Sequence, residues 1–206
     1  MNPLLRFTCV LALALPAAAS NISFLGTFAT DDQVQLFDFT VNSTTTVTLV
    51  SLAYGGGTNS ASQVIPAGGF DSFFTLFAAD GSQINTNDDG GCGLVNAGNG
   101  GCLDAYLSET LNAGSYTLAL TESGNDPAGN LSDGFIEQGQ GDFTCPQGFC
   151  DVFGDHQNGS WAVDIRNVES ASIEGVPEPG TFSLVCGFLL IFAAKVRLRS
   201  VFRSIK

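Results

Sequence analysis

Basic side chains are nearly missing from this sequence. Of seven lysines and arginines, five (Lys195, Arg197, Arg199, Arg203 and Lys206) crowd the C-terminal end, Arg6 sits near the start, and only Arg166 lies between. The body between those ends holds nearly all of the twenty acids. Such a surface cannot displace counterions from a phosphate backbone, so nucleic acid is excluded as a partner. Histidine is equally scarce. His156 is the single one, set in a Gly/Asn-rich stretch, and no Gly-x-Ser-x-Gly elbow accompanies it. Nucleophilic catalysis needs a base held by a third group, and no such constellation is visible. Any pair of carboxylates among twenty would suit a glycoside hydrolase, so that pattern has no specificity. The expectation is a non-enzymatic protein, with a secreted hydrolase as the weakest alternative. Sustained helical periodicity is also absent between Ser20 and Gly175, which argues against a helical domain.

What is present is most informative at the two ends. Met1 to Arg6 is a short, weakly basic start, Phe7 to Leu15 is apolar, and Ala17-Ala18-Ala19 supplies small residues before Ser20. This reads as a signal peptide over 1–19. At the other end, Val176-Pro177-Glu178-Pro179-Gly180 leads into an apolar run from Thr181 to Ala194, followed by Lys195, Arg197 and Arg199. A transmembrane helix is expected over about 181–196, short against the ~20 residues of a comfortable span but lengthened by snorkelling cations. Cations on one side only orient that side to the cytoplasm. Together, Pro177, Glu178 and Pro179, the apolar run and the basic end resemble the PEP-CTERM sorting signal of bacterial envelope proteins. The resemblance implies an exosortase-type processing enzyme as partner, transient residence in the inner membrane, and a final place at the cell surface or outside it, where exopolysaccharide is a further candidate partner.

The segment 20–175 reads as one acidic all-β domain, a β-sandwich or jelly roll. Strands are expected over Asn21 to Phe28, Gln33 to Val41, Thr44 to Leu52, Phe73 to Ala78, Gln83 to Asn87, Ser115 to Glu122 and Ser160 to Val168. Phe37, Phe39 and Val41 share one face, as do Tyr116, Leu118 and Leu120, and Trp161, Val163 and Ile165. The Phe73 to Ala78 run is apolar on both faces, as expected for a strand covered on both sides. Asp80-Gly81 predicts a hairpin. Asn125 to Gly159 is long and irregular, the pattern of a functional or mobile loop. Four cysteines in the mature domain imply two disulfides in an oxidising compartment, with three possible pairings, of which proximity favours Cys92 with Cys102 and Cys145 with Cys150.

From Gly69-Phe70-Asp71 through Asp80-Gly81-Ser82, Asn87-Asp88-Asp89-Gly90, Leu103-Asp104-Ala105-Tyr106 and Leu111 to Leu118, the order of motifs resembles the pre-peptidase C-terminal type of secreted β-sandwich domain. The resemblance covers about fifty residues, and it implies a small jelly-roll module of a kind that includes calcium and polymer binders. Gly91 to Cys102 is an insertion relative to that pattern.

One cluster suits a hard cation. Asp71, Asp80, Asn87, Asp88, Asp89 and Asp104 offer oxygen ligands on and around one hairpin, which makes calcium the candidate cofactor. Their spacing is not that of an EF-hand, and Asp and Asn also favour turns in their own right. Tyr54 and Phe149 are loop aromatics that either cap the core or present a ring to a sugar. The expected role is thus an exported structural or matrix-binding module, with calcium-dependent carbohydrate binding as the alternative.

Overall fold

The computed structural model describes residues 19–174. The signal segment, Pro177-Glu178-Pro179, the apolar run and the basic tail lie outside the described residues. Eleven strands occupy the described part: β1 (Ser20–Thr27), β2 (Gln35–Val41), β3 (Thr45–Ser51), β4 (Gly57–Thr58), β5 (Val64–Ile65), β6 (Ser72–Ala78), β7 (Gln83–Asn87), β8 (Tyr106–Leu111), β9 (Gly114–Glu122), β10 (Ser160–Val168) and β11 (Ser170–Ile173). A single 3-10 turn, Leu131–Asp133, is the one helical element among the described residues. No helix there is long and apolar enough to cross a membrane.

Two antiparallel sheets pack face to face. One has the order β1-β10-β3-β8 and the other β11-β2-β9-β6-β7, with β4 and β5 forming a separate ribbon. Only β6 and β7 are consecutive strands within one of the large sheets, joined through Asp80-Gly81 with Gly81 at φ 81°. Apart from the β4–β5 ribbon, every other connection crosses between the sheets. Period-two alternation explains the core. Phe37, Phe39 and Val41 of β2 and Leu118 and Leu120 of β9 meet Val47 and Leu49 of β3 and Trp161, Val163 and Ile165 of β10 in a single apolar cluster. The other face of β6 and β9 is covered too, because Phe77 and Ala119 pack under Phe135 from the long loop.

The strands additional to those expected from sequence are β8, β11 and the two-residue pair β4 and β5. β8 and β11 close the edges of their sheets, and β8 turns only Leu107 and Leu111 fully inward. β8 carries three polar residues between its two inward leucines and β11 is only four residues long, so both escape pattern reading.

An aromatic chain runs from the middle of the sandwich to one end. Phe24 contacts Phe37, Phe37 meets Trp161 edge-on at 5.6 Å, Trp161 touches Phe28, Phe28 stacks on Phe70 at 5.1 Å, and Phe70 contacts Phe149. Phe149 lies in the loop closed by Cys145 and Cys150, whose Cα atoms are 5.8 Å apart; Cys92 is likewise bonded to Cys102. Both aromatics singled out from the sequence cap the core: Tyr54 and Phe149 are buried. Gly148 and Phe149 both take positive φ, 69° and 53°. That conformation is unusual for a bulky residue, and here the flanking disulfide and the Phe70 contact hold it.

Trp161 also requires a glycine opposite it. A Cβ on Gly26 of β1 would overlap the indole ring, whereas a Cβ on Gly93 would meet nothing within 4 Å. Gly26→Ala is expected to destabilise the domain by about 1–3 kcal/mol through this overpacking, with Gly93→Ala close to neutral. Chemical denaturation followed by Trp161 fluorescence measures both.

Candidate metal centre

Burying a carboxylate is unfavourable unless donors surround it. With Arg166 as the only basic residue in the body, most donors here are backbone N–H groups. Asp104 is fully buried at the start of β8 and accepts the Ser51 hydroxyl (2.8 Å) and the amides of Ala53 (2.6 Å), Tyr54 (3.0 Å) and Gly55 (2.7 Å). Burial still raises its pKa against those donors. Asp31 accepts the amides of Phe143 (2.9 Å), Thr144 (3.0 Å) and Phe149 (3.2 Å) and the Thr144 hydroxyl. Asp32 accepts Gly139 and Gly141. Its pKa is lowered, chiefly by the Thr30 side chain and then by those two amides against the opposing effect of burial. Asp151 accepts the Tyr54 hydroxyl (2.8 Å), the amides of Phe153 and Asp155 (2.9 Å each) and the Gln157 side chain. Burial pushes Asp151 up, but the Asp155 amide, the Tyr54 hydroxyl and the other donors hold it below the usual range. These four aspartates shape the loops at one end of the sandwich and order much of the irregular stretch 125–159.

Asp164 does the same for the loop after β4. It accepts the Ser23 hydroxyl, the Ser60 amide and hydroxyl, and Arg166 at 2.8 Å. Burial opposes ionisation there, yet the Ser23, Arg166 and Ser60 donors lower the pKa.

Asp32 Oδ1 is buried without a partner although its Oδ2 accepts two amides, and two further buried acids combine an unpartnered oxygen with a strongly raised pKa. Asp71, just before β6, is 3% exposed and its Oδ1 has no hydrogen-bond partner. Its pKa is pushed up to about 8, first by burial and then by the charges of Asp88 and Asp89. Glu122, at the end of β9, is 1% exposed and its Oε2 is unpartnered. Burial and then the Asp71 charge push it up to about 10. The two sit close in the sheet, since Ser72 pairs with Glu122.

The six oxygen-bearing residues singled out from sequence separate into two groups. Asp71, Asp88 and Asp89 converge, each offering a carboxylate oxygen within 4.8 Å of the others. Asp71 forms a buried floor, and Asp88 and Asp89 are exposed. Asp88 is raised by partial burial despite a hydrogen bond from the Ser123 side chain. The remaining three are engaged elsewhere. Asp80 is exposed and accepts the Ser82 amide and hydroxyl, a turn-former's role. Asn87 accepts the Tyr106 amide at 2.7 Å and donates to the Asp89 carbonyl, tying β7 to β8. Asp104 holds the Ala53 to Gly55 turn as described. Glu122 is the residue that the sequence reading left out. Its signal was the alternation Tyr116, Leu118, Leu120, which places residue 122 on the inward face.

Cys145, Cys150 and His156 form a second close group, with His156 Nδ1 3.3 Å from Cys150 Sγ. The two sulfurs are bonded to each other and so are not thiolate ligands. A groove of about 290 Å³ is lined by Leu25, Val64, Ile65, Pro66 and Trp161.

No family model matches this chain, and no curated protein matches it. Among solved structures it is similar to the pre-peptidase C-terminal domain of a collagenase from Bacillus anthracis, with 10% identity and a TM-score of 0.35, over 74% of this chain and 89% of that one. The fold described above rests on strand order and register.

Asp104→Asn puts an amide nitrogen against backbone donors and is expected to lower stability by about 1–3 kcal/mol, measured by urea denaturation. Asp164 sets an acid limit. Its pKa is depressed in the folded state, so its contribution is complete above the ordinary value of 3.8 and disappears as pH falls through the lower folded value. An Asp164→Asn variant should therefore show a smaller loss of melting temperature than the parent between pH 5 and pH 2, by calorimetry.

Proposed function

We propose that this chain is an exported bacterial envelope protein whose β-sandwich serves as a non-enzymatic structural or matrix-binding module. The observation that carries the proposal is the segregation of charge. Cations gather behind a short apolar run at the C-terminus, after Pro177-Glu178-Pro179, while the body ahead of them is acidic. That arrangement suits a precursor held briefly in the inner membrane, cut or transferred by an exosortase-type enzyme, and delivered to the cell surface or the surrounding exopolysaccharide. The two disulfides support an oxidising destination. The loop end of the sandwich supports a scaffold role, because Asp31, Asp32, Asp104 and Asp151 are engaged in holding backbone turns.

Glu178→Ala is expected to leave the full-length form in the inner membrane, while the parent is released or re-attached at the surface. Cell fractionation followed by mass spectrometry of the C-terminus reads this directly. Normal processing of the variant would remove the sorting proposal.

A further inference from the structure

We infer that Asp71, Asp88 and Asp89 bind one calcium-like divalent cation, backed by the buried carboxylate of Glu122. The site is independent of the export proposal, since it depends on side chains at the end of the sandwich and not on either terminus.

Four observations converge on it. First, the three carboxylates meet the distance condition. Two oxygens bound to one ion at about 2.3–2.6 Å lie at most about 5.2 Å apart, and here they lie within 4.8 Å. Second, Asp71 Oδ1 is buried and unpartnered. Elsewhere in the domain Asp31, Asp104, Asp151 and Asp164 collect hydrogen-bond donors, and Asp32, whose Oδ1 is also unpartnered, accepts two amides on its Oδ2. Third, Glu122 repeats the anomaly one strand away, with Oε2 also unpartnered. Once ionised, two neighbouring buried acids that each leave an oxygen without a donor are favoured by a positive charge beside them, and the body's sole arginine is held by Asp164 instead. Fourth, the site has an entrance. Asp88 and Asp89 face solvent while Asp71 closes the floor.

The ligand class follows from the donors. All are hard carboxylate oxygens, which select calcium or magnesium over softer metals. Two of the three come from one exposed loop with adjustable geometry, which suits calcium better than the strict octahedron of magnesium. The ion would join the entry of β6 to the loop after β7. It would also neutralise the end of β9, where Glu122 and Ser123 flank the Asp71 main chain through the Ser123 amide (2.8 Å to the Asp71 carbonyl). The insertion from Gly91 to Cys102 begins directly after Gly90 and would be steadied with it.

The test uses the full chain in detergent, titrated with calcium chloride after treatment with chelator and followed by calorimetry and thermal melting. One calcium per chain is expected, with the melting temperature rising by about 5–10 °C at ~100-fold excess over Kd. Asp71→Asn and the double variant Asp88→Asn/Asp89→Asn should each weaken binding at least ~tenfold, in line with the loss of charged ligands. Asp80→Asn should bind as the parent does. Glu122→Gln should raise the melting temperature in chelator and shrink the gain from calcium. If Asp71→Asn fails to fold, the exposed double variant decides. Absence of both heat and melting shift in the parent would overturn the inference, as would undiminished binding by the double variant. Either result leaves sorting through Glu178 untouched.

Discussion

The fold depends on how an acidic chain buries its own carboxylates. With one arginine in the body, ion pairing could satisfy a single site, and Asp164 takes it. The other buried aspartates turn to the backbone. Each amide hydrogen that points at Asp31, Asp32, Asp104 or Asp151 belongs to a turn that would otherwise leave that donor unsatisfied, so one bond serves two requirements. The consequence is a set of long connections that are ordered without being regular. The stretch 125–159 contains one short 3-10 turn and yet packs Phe135 and Phe149 into apolar clusters.

Core and loops are coupled through this arrangement. The aromatic chain from Phe24 to Phe149 ends where the carboxylates begin. Phe70 sits in the core and Asp71 at the acidic end, on adjacent residues. Leu120 sits in the core and Glu122 faces the same way beyond it. The strands that build the apolar interior therefore also carry the two unpartnered acids to the same end of the sheet, and rigid strands are a better platform for a site than free loops.

Much of the fold was legible. Alternation in Gln35 to Val41, in Ser115 to Glu122 and in Ser160 to Val168 named the inward residues, because half-buried strands separate polar from apolar by parity. The doubly apolar run of β6 announced a strand covered on both faces. The proximity of the cysteine pairs predicted the observed bonds. The edge strands β8 and β11 were not legible, because β8 has three polar residues between its inward leucines and β11 is only four residues long. For the site, composition named too many residues. Asp80, Asn87 and Asp104 look like ligands in a list of acids and amides, but Asp80 is engaged by its own turn, and Asn87 and Asp104 by donors far away in sequence. Glu122 looked like an ordinary strand-end acid, although its parity with Leu120 pointed inward.

By itself the sequence determined the class of domain, the inward face of its main strands, the acidic character of the body and the segregation of cations to the C-terminus, because these follow from periodicity and composition along the chain. Only the tertiary structure decided which carboxylates are satisfied and which are not. Hydrogen-bond donors to a buried acid come from residues as distant as Asp31 and Phe149, and a gap in that donor set becomes visible only when the whole shell around an oxygen is in place.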